Sequence, residues 1–171
     1  MPVAQFNLAD GQRAERKLLI TVAEWTEGST EERELLGRRT EDSSIDYNPD
    51  IETTTDILGN NYTDMNRTQP QQDFDPFTIL GGSKLGAKLN DIRRRNALSE
   101  LNQFTIYVIT AFVDGTTTGT YQAERHTDCT ITYNSIGGDS TVNMPISVYF
   151  SNKITLGTVD KLADDFTFTP A

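Results

Sequence analysis

The chain has 171 residues, a formal net charge of −10 at pH 7 and a single cysteine, Cys129. That length suits one domain, spanning residues 1–171, which can bury roughly 68–70% of its unfolded surface without staples. The charge argues against tight nucleic-acid binding, which depends on basic side chains displacing phosphate counterions. The lone cysteine excludes an internal disulfide.

Abundant Thr, Asn, Asp and Gly, with Phe and Tyr as the main aromatics, tilt the chain towards β structure. The opening MPVAQFNLADGQRAERK lacks a hydrophobic signal core, and no apolar run is long enough to span a bilayer. Synthesis in the cytosol without a cleaved signal is the expectation.

Residues 1–14 are small and polar and read as an N-terminal arm ordered only by a neighbour. Lys17 to Val22 alternates Leu18, Ile20, Val22 against Lys17, Leu19, Thr21, a strand pattern. Residues 24–42 mix charges around Gly28 and Gly37 and read as a solvated loop, with a short strand near Leu35 and Leu36.

Two alternating runs follow, Ser44 to Asn48 and Ile51 to Ile57. Asn48-Pro49-Asp50 between them is turn chemistry. The expectation is a hairpin with Ile45, Tyr47, Ile51 and Ile57 on one face and Asp46, Glu52 and Asp56 on the other. Residues 59–75 read as a long polar loop, uncommon in a compact domain unless a function or a partner holds it.

Phe77 to Leu80 is a short strand, broken by Gly81-Gly82, with Ser83 placed to cap a helix. Lys84 to Ala97 is the single helix candidate: Leu85, Leu89 and Ile92 form a narrow apolar stripe, and Arg93, Arg94 and Arg95 suit its negative C-terminal end. Gln103 to Val113 is apolar on both faces, as a covered central strand is. Tyr121 to Tyr133 is a long strand with Cys129, Ile131 and Tyr133 opposite Asp128, Thr130 and Thr132. In Thr141 to Phe150, Pro145 cannot donate to a ladder, which implies an edge or a bulge. Ile154 to Val159 and Phe166 to Thr169 close the chain. The fold expected is mainly β, a β-sandwich or barrel of two sheets with one packed α-helix and long assembly loops.

A search for chemistry finds little. Asp46, Glu52 and Asp56 have no apolar surroundings to raise a pKa, so a solvated acidic face is the simpler reading. Asp73 and Asp75 are too few ligands for a divalent ion. His126 and Cys129 lie three apart on a strand, hence on opposite faces. No G-x-S-x-G elbow occurs, and NSIGGDS is a hairpin turn rather than a phosphate cradle. The basic helix (Lys84, Lys88, Arg93, Arg94, Arg95) is better matched to acidic protein surface than to nucleic acid. No enzyme, cofactor or metal is expected.

The run IDYNPDIETTTDILGNNYTDMNRTQPQQDFDPFTI, the basic helix after Gly81-Gly82 and the closing hairpins resemble tail tube proteins of bacteriophages, and in plan the inner-tube proteins of contractile injection machines. The resemblance implies a virion protein, assembled in the host cytoplasm, whose hexameric rings stack into a hollow tube. Its partners would be copies of itself, other tail proteins at the tube ends, and DNA passing without tight binding. The resemblance leaves a sheathed, contractile tail and a long non-contractile one both open, the second being the preferred reading. On this reading Asp46, Glu52, Asp56 and Asp128 line the lumen; the alternative is that this acidic face is the outer surface of the tube. Asn61, Tyr62, Asp64, Arg67 and Asp73, with the five basic residues of the helix, make contacts between subunits. The alternative from another class is a soluble β-sandwich module that binds carbohydrate or a host surface. Such modules display exposed aromatic platforms, and Trp25, the one Trp, sits in a Glu-rich segment where partial burial is expected.

Overall fold

A computed structural model describes residues 3–171. The strands are β1 (Leu19–Glu27), β2 (Thr30–Leu35), β3 (Ile45–Asp46), β4 (Asp50–Thr55), β5 (Asn61–Arg67), β6 (Gln71–Phe74), β7 (Phe104–Asp114), β8 (Tyr121–Tyr133), β9 (Ile146–Tyr149), β10 (Ile154–Val159) and β11 (Phe168–Pro170), with one helix, α1 (Lys84–Arg95), between β6 and β7. Nine strands form an antiparallel sheet: seven follow the path β2-β1-β7-β8-β9-β6-β3, while β10 pairs with β8 and β11 with β10. The pair β4-β5 stands apart as a second, two-stranded sheet.

The path curls on itself around β8. On that strand Cys129 faces Phe104 and His126 faces Ile106, so two residues, Thr127 and Asp128, answer the single Thr105 on β7. The extra residue is a β-bulge, and Asp128 takes up its strain at φ 56°. Before the bulge β8 pairs with β10, and after it with β9. The two halves then share one core: Trp25, Phe104 and Ile106 pack with Phe74, Ile146 and Val148, and with Leu85, Leu89 and Ile92 of α1. A second core lies on the opposite side of β7, where Tyr107, Ile109 and Val22 meet Val159 and Phe166. Strand β7 is therefore covered on both faces, as its two apolar rows require.

Helix α1 starts and stops where local chemistry dictates. Ser83 Oγ accepts the amide of Gly86 at 3.2 Å, and Asn96 ends the helix in the left-handed conformation at φ 53°. At the other end of the chain, Gly157 on β10 is required by close approach: a Cβ there would stand 2.4 Å from Thr169 O and 2.6 Å from the Phe168 ring.

Several expectations need correction. Residues 24–35, expected as a solvated loop, extend β1 and form β2, a hairpin that turns at Gly28 with φ 64°. Trp25 is thereby buried, edge-on to Phe104. The N-terminal arm is partly held by its own chain: Phe6 bridges to Val113, and Asn7 donates to Asp114 Oδ1 at 2.8 Å. Phe77 to Leu80 forms no strand beyond a bridge from Thr78 to Asn143. Pro145 lies just ahead of β9 and not within it. Because of the bulge, His126 and Cys129 bury on the same side, not on opposite faces. The His126 ring nitrogens face Glu124 Oε2 at 3.2 Å and Ser151 O at 3.5 Å.

Candidate assembly surface

The segment from Ile45 to Phe74 is one long ribbon, and its pairing differs from expectation. Strand β3 does not pair with β4 across Asn48-Pro49-Asp50. It pairs with β6, Ile45 opposite Gln72 and Asp46 opposite Gln71. Strand β4 pairs with β5, so residues 59–75, expected as a loop, hold β5 and β6. Between the inner and outer pairs the ladder is interrupted at Pro49 and Pro70, neither of which has an N–H to give. Gln69 still donates to Tyr47 O at 2.8 Å, and Asn48 Nδ2 to Gln69 O at 3.0 Å, which carries the ribbon across the break.

Beyond that break every residue of β4 and β5 is exposed. Six or seven strand residues reach roughly 20 Å. An isolated two-stranded hairpin is marginal in water at best, and this one puts apolar side chains into solvent on both faces. Ile51 and Met65 lie opposite each other at 58% and 64% exposure, and the tip residues Ile57 and Leu58 reach 102% and 81%. The apolar face expected from Ile45, Tyr47, Ile51 and Ile57 is thus not a buried one: Ile45 is half-buried, and the other three are exposed.

The tip is held by Asp56. Its carboxylate accepts from the amides of Leu58 and Asn60 at 2.8 and 2.9 Å, from Asn60 Nδ2 at 3.0 Å and from the Tyr62 hydroxyl at 3.1 Å, while Gly59 takes φ 81°. The bonds from Asn60, side chain and backbone, lower its pKa most. Asp56 is thus a turn-tying carboxylate, and Asp128 is matched to Lys153. Asp46 bonds the Asn48 amide at 3.1 Å and is otherwise exposed on β3.

Glu52 lies directly opposite Asp64, a like-charge pair that weakens the hairpin, and Asn66 Nδ2 reaches Glu52 only at 3.5 Å. Of the other residues named for contacts, Asn61 accepts from Thr55 at 2.7 Å and Arg67 meets Asp50 at 3.6 Å. Asp73 accepts from Gln71 at 3.0 Å, within β6.

The basic helix is largely matched inside its own chain. Lys84 meets Glu32 at 2.6 Å, Lys88 meets Glu27 and Glu100 at 3.2 and 3.3 Å, and Arg95 meets Asp91 and Glu100 at 2.7 and 3.0 Å. Burial works against the Lys88 charge, but its hydrogen bonds to Glu27 and Glu100 outweigh it and raise the pKa. Among the described residues no ion pair uses Arg93 or Arg94. Arg93 reaches Asn90 Oδ1 at 2.8 Å and leaves its Nε without a partner, and Arg94 is exposed.

Sequence reasoning missed two features beside this helix. Glu34 on β2 accepts from Ser83 Oγ at 2.9 Å and from the Leu85 amide at 2.6 Å, so it caps α1 from another strand. No local pattern announces such a contact across 51 positions. A groove of about 430 Å³, lined mostly by carbon, runs between α1 and residues 136–144. Ile79, Ile136 and Val142 on its rim are 38%, 46% and 52% exposed. Trp25, in contrast, offers no exposed platform for a sugar.

No family model matches the sequence, and neither does any curated protein. A chain of the anti-feeding prophage (AFP) baseplate matches with a TM-score of 0.50 at 6% identity, covering 87% of this chain and 97% of that one. A chain of the PVC sheath-tube complex, an extracellular contractile injection system in its extended state, matches at 0.47 and 11% identity, covering 85% and 92%. A chain of the AFP tube terminating cap matches at 0.47 and 13% identity, covering 96% of both. At such identities the likeness is one of fold, and the chain shares its fold with the AFP baseplate chain.

Proposed function

We propose that this chain is a structural subunit of a phage-like tail tube, which polymerises as stacked hexameric rings around a channel that conducts DNA. The observation that carries the reading is the β4-β5 arm, which projects with both faces exposed and an apolar tip. A subunit that keeps such an arm in solution is incomplete by itself. The fold shared with a chain of a multi-subunit injection assembly supports the same direction.

On this reading the arm, with Asn61, Tyr62, Asp64 and Arg67, contacts neighbouring copies. The channel wall must repel phosphate so that DNA slides. Of the carboxylates named for that wall, Asp46 fits best. It is exposed on a body strand, whereas Asp56 and Asp128 are engaged within the chain and Glu52 rides on the arm. Other tail proteins would close the two tube ends.

The test is negative-stain microscopy with size-exclusion chromatography of the full chain. A second chain has Asp50 to Arg67 replaced by a two-residue Asn-Gly turn. The full chain is expected to form rings or tubes, and the shortened chain to stay a folded monomer. A full chain that remains monomeric at every concentration overturns the reading. A shortened chain that still forms tubes shows that the arm is not the assembly element.

A further inference from the structure

We infer that the groove beside α1 is the receptor for the arm of a second copy of this chain: Ile57 and Leu58 of one copy seat between α1 and residues 136–144 of another. The inference rests on the tube reading and names its contact.

Three observations carry it. First, tip and groove are complementary in kind. Ile57 and Leu58 are adjacent, apolar and almost fully exposed. The groove is walled by Ile79, Gly86, Ala87, Ile136, Val142 and Met144. Burying two such side chains removes apolar surface on both partners from water.

Second, the charges match. The segment from Asp50 to Arg67 carries four carboxylates against one arginine, and two of them, Glu52 and Asp64, stand opposite each other. A like-charge pair of this kind is relieved by a cation supplied from outside. The groove wall formed by Gly86, Ala87 and Asn90 leads, one turn on, to Arg93 and Arg94. These are the two helix arginines that no carboxylate of their own chain meets among the described residues.

Third, the spacings agree. From the tip to the Glu52-Asp64 pair is about five strand residues, roughly 17 Å. From Ala87 to Arg94 is seven helical residues, about 10 Å; because helix side chains lean back towards the N-terminus, the difference is taken up by the Glu52 and Asp64 side chains and by an arm that crosses α1 at an angle. An arm laid along α1 places its apolar tip in the groove and its acidic pair at the arginines at the same time. Among the described residues, the arm's own chain offers no cover at either place.

The test is thiol cross-linking of the full chain. Leu58→Cys is combined with Ala87→Cys, and the native Cys129 is left in place because it is buried. A control combines Leu58→Cys with Thr118→Cys, an exposed position on the turn before β8. After mild oxidation, non-reducing gels are expected to show a ladder of linked multimers for the first pair and not for the control. Asp64→Arg and Arg94→Asp are each expected to lower ladder yield about fivefold, and the two together to restore it. Tubes visible by microscopy with no ladder, or a ladder of equal yield from the control, overturn the groove assignment and leave the tube reading standing. Absence of both ladder and any assembly overturns both. A ladder that ignores both charge changes removes the arginines from the contact.

Discussion

The Thr21 hydroxyl on β1 donates to Oε1 of Gln72 on β6 at 2.8 Å, a buried bond between two strands that never pair. Gln72 Nε2 in turn donates to Ser43 Oγ at 3.2 Å, and Ser43 Oγ to Asp73 O at 2.6 Å. This relay closes the curled sheet where the backbone ladder does not. It also seats the root of the arm, since β6 is the strand by which the ribbon returns to the body.

Gln72→Leu leaves the Thr21 hydroxyl buried without a partner, at a cost of about 1–3 kcal/mol. Adding Thr21→Val removes the orphan and is expected to recover part of the loss. Urea unfolding of the two single variants and the double variant forms a cycle whose coupling should be well above zero. Additive costs would show that the bond contributes nothing beyond packing.

The Asp56 turn gives the arm a pH dependence of definite sign. Its carboxyl pKa is lowered in the fold, chiefly by Asn60. The folded turn therefore binds fewer protons than the open one, and its stabilisation is complete above the ordinary Asp value of about 3.9. It is lost as pH falls through the lowered folded value. Amide exchange at Leu58 and Asn60 should accelerate, relative to their intrinsic rates, on acidification through that window. Asp56→Ala should show the faster exchange already at neutral pH, with no change in global unfolding.

The capping of α1 by Glu34 predicts a loss far from the helix in sequence. Glu34→Ala removes two acceptor contacts at the positive helix end and is expected to cost about 1–2 kcal/mol. Glu31→Ala, an exposed neighbour on β2, is expected to be near neutral. Equal effects in denaturant melts would reduce the Glu34 contacts to general surface charge.

Gly157→Ala brings a methyl group against the Thr169 carbonyl and the Phe168 ring. Backbone on one side and a packed ring on the other leave little room to relax, so a loss of about 1–3 kcal/mol is expected. Selective loss of amide-exchange protection at Phe168 and Thr169 would place the damage at β11. An unchanged melting temperature would mean that β11 is not docked there in solution.

The sequence by itself determined the elements whose signals are local. Two full apolar rows made β7 a covered central strand, and Ser83 with the Leu85, Leu89, Ile92 stripe delimited α1. Alternation found β8 to the residue and grouped Asp46, Glu52 and Asp56 on a face apart from Ile45, Tyr47, Ile51 and Ile57. Only the tertiary structure decided what those faces meet, because a period of two groups side chains by face without naming the face opposite. Ile51 and Ile57 could equally have been core residues; they are exposed because β4 found β5 across the Asp56-Gly59 turn and not β3 across Pro49. The bulge at Asp128 turned His126 and Cys129 to one side although their spacing says otherwise. Arg95 meets Asp91 one turn back, a pairing the helix spacing itself announces, but Lys84 and Lys88 find Glu32 and Glu27 on the β1-β2 hairpin while Arg93 and Arg94 find no such carboxylate among the described residues, and no local pattern encodes a distance between residues far apart in sequence.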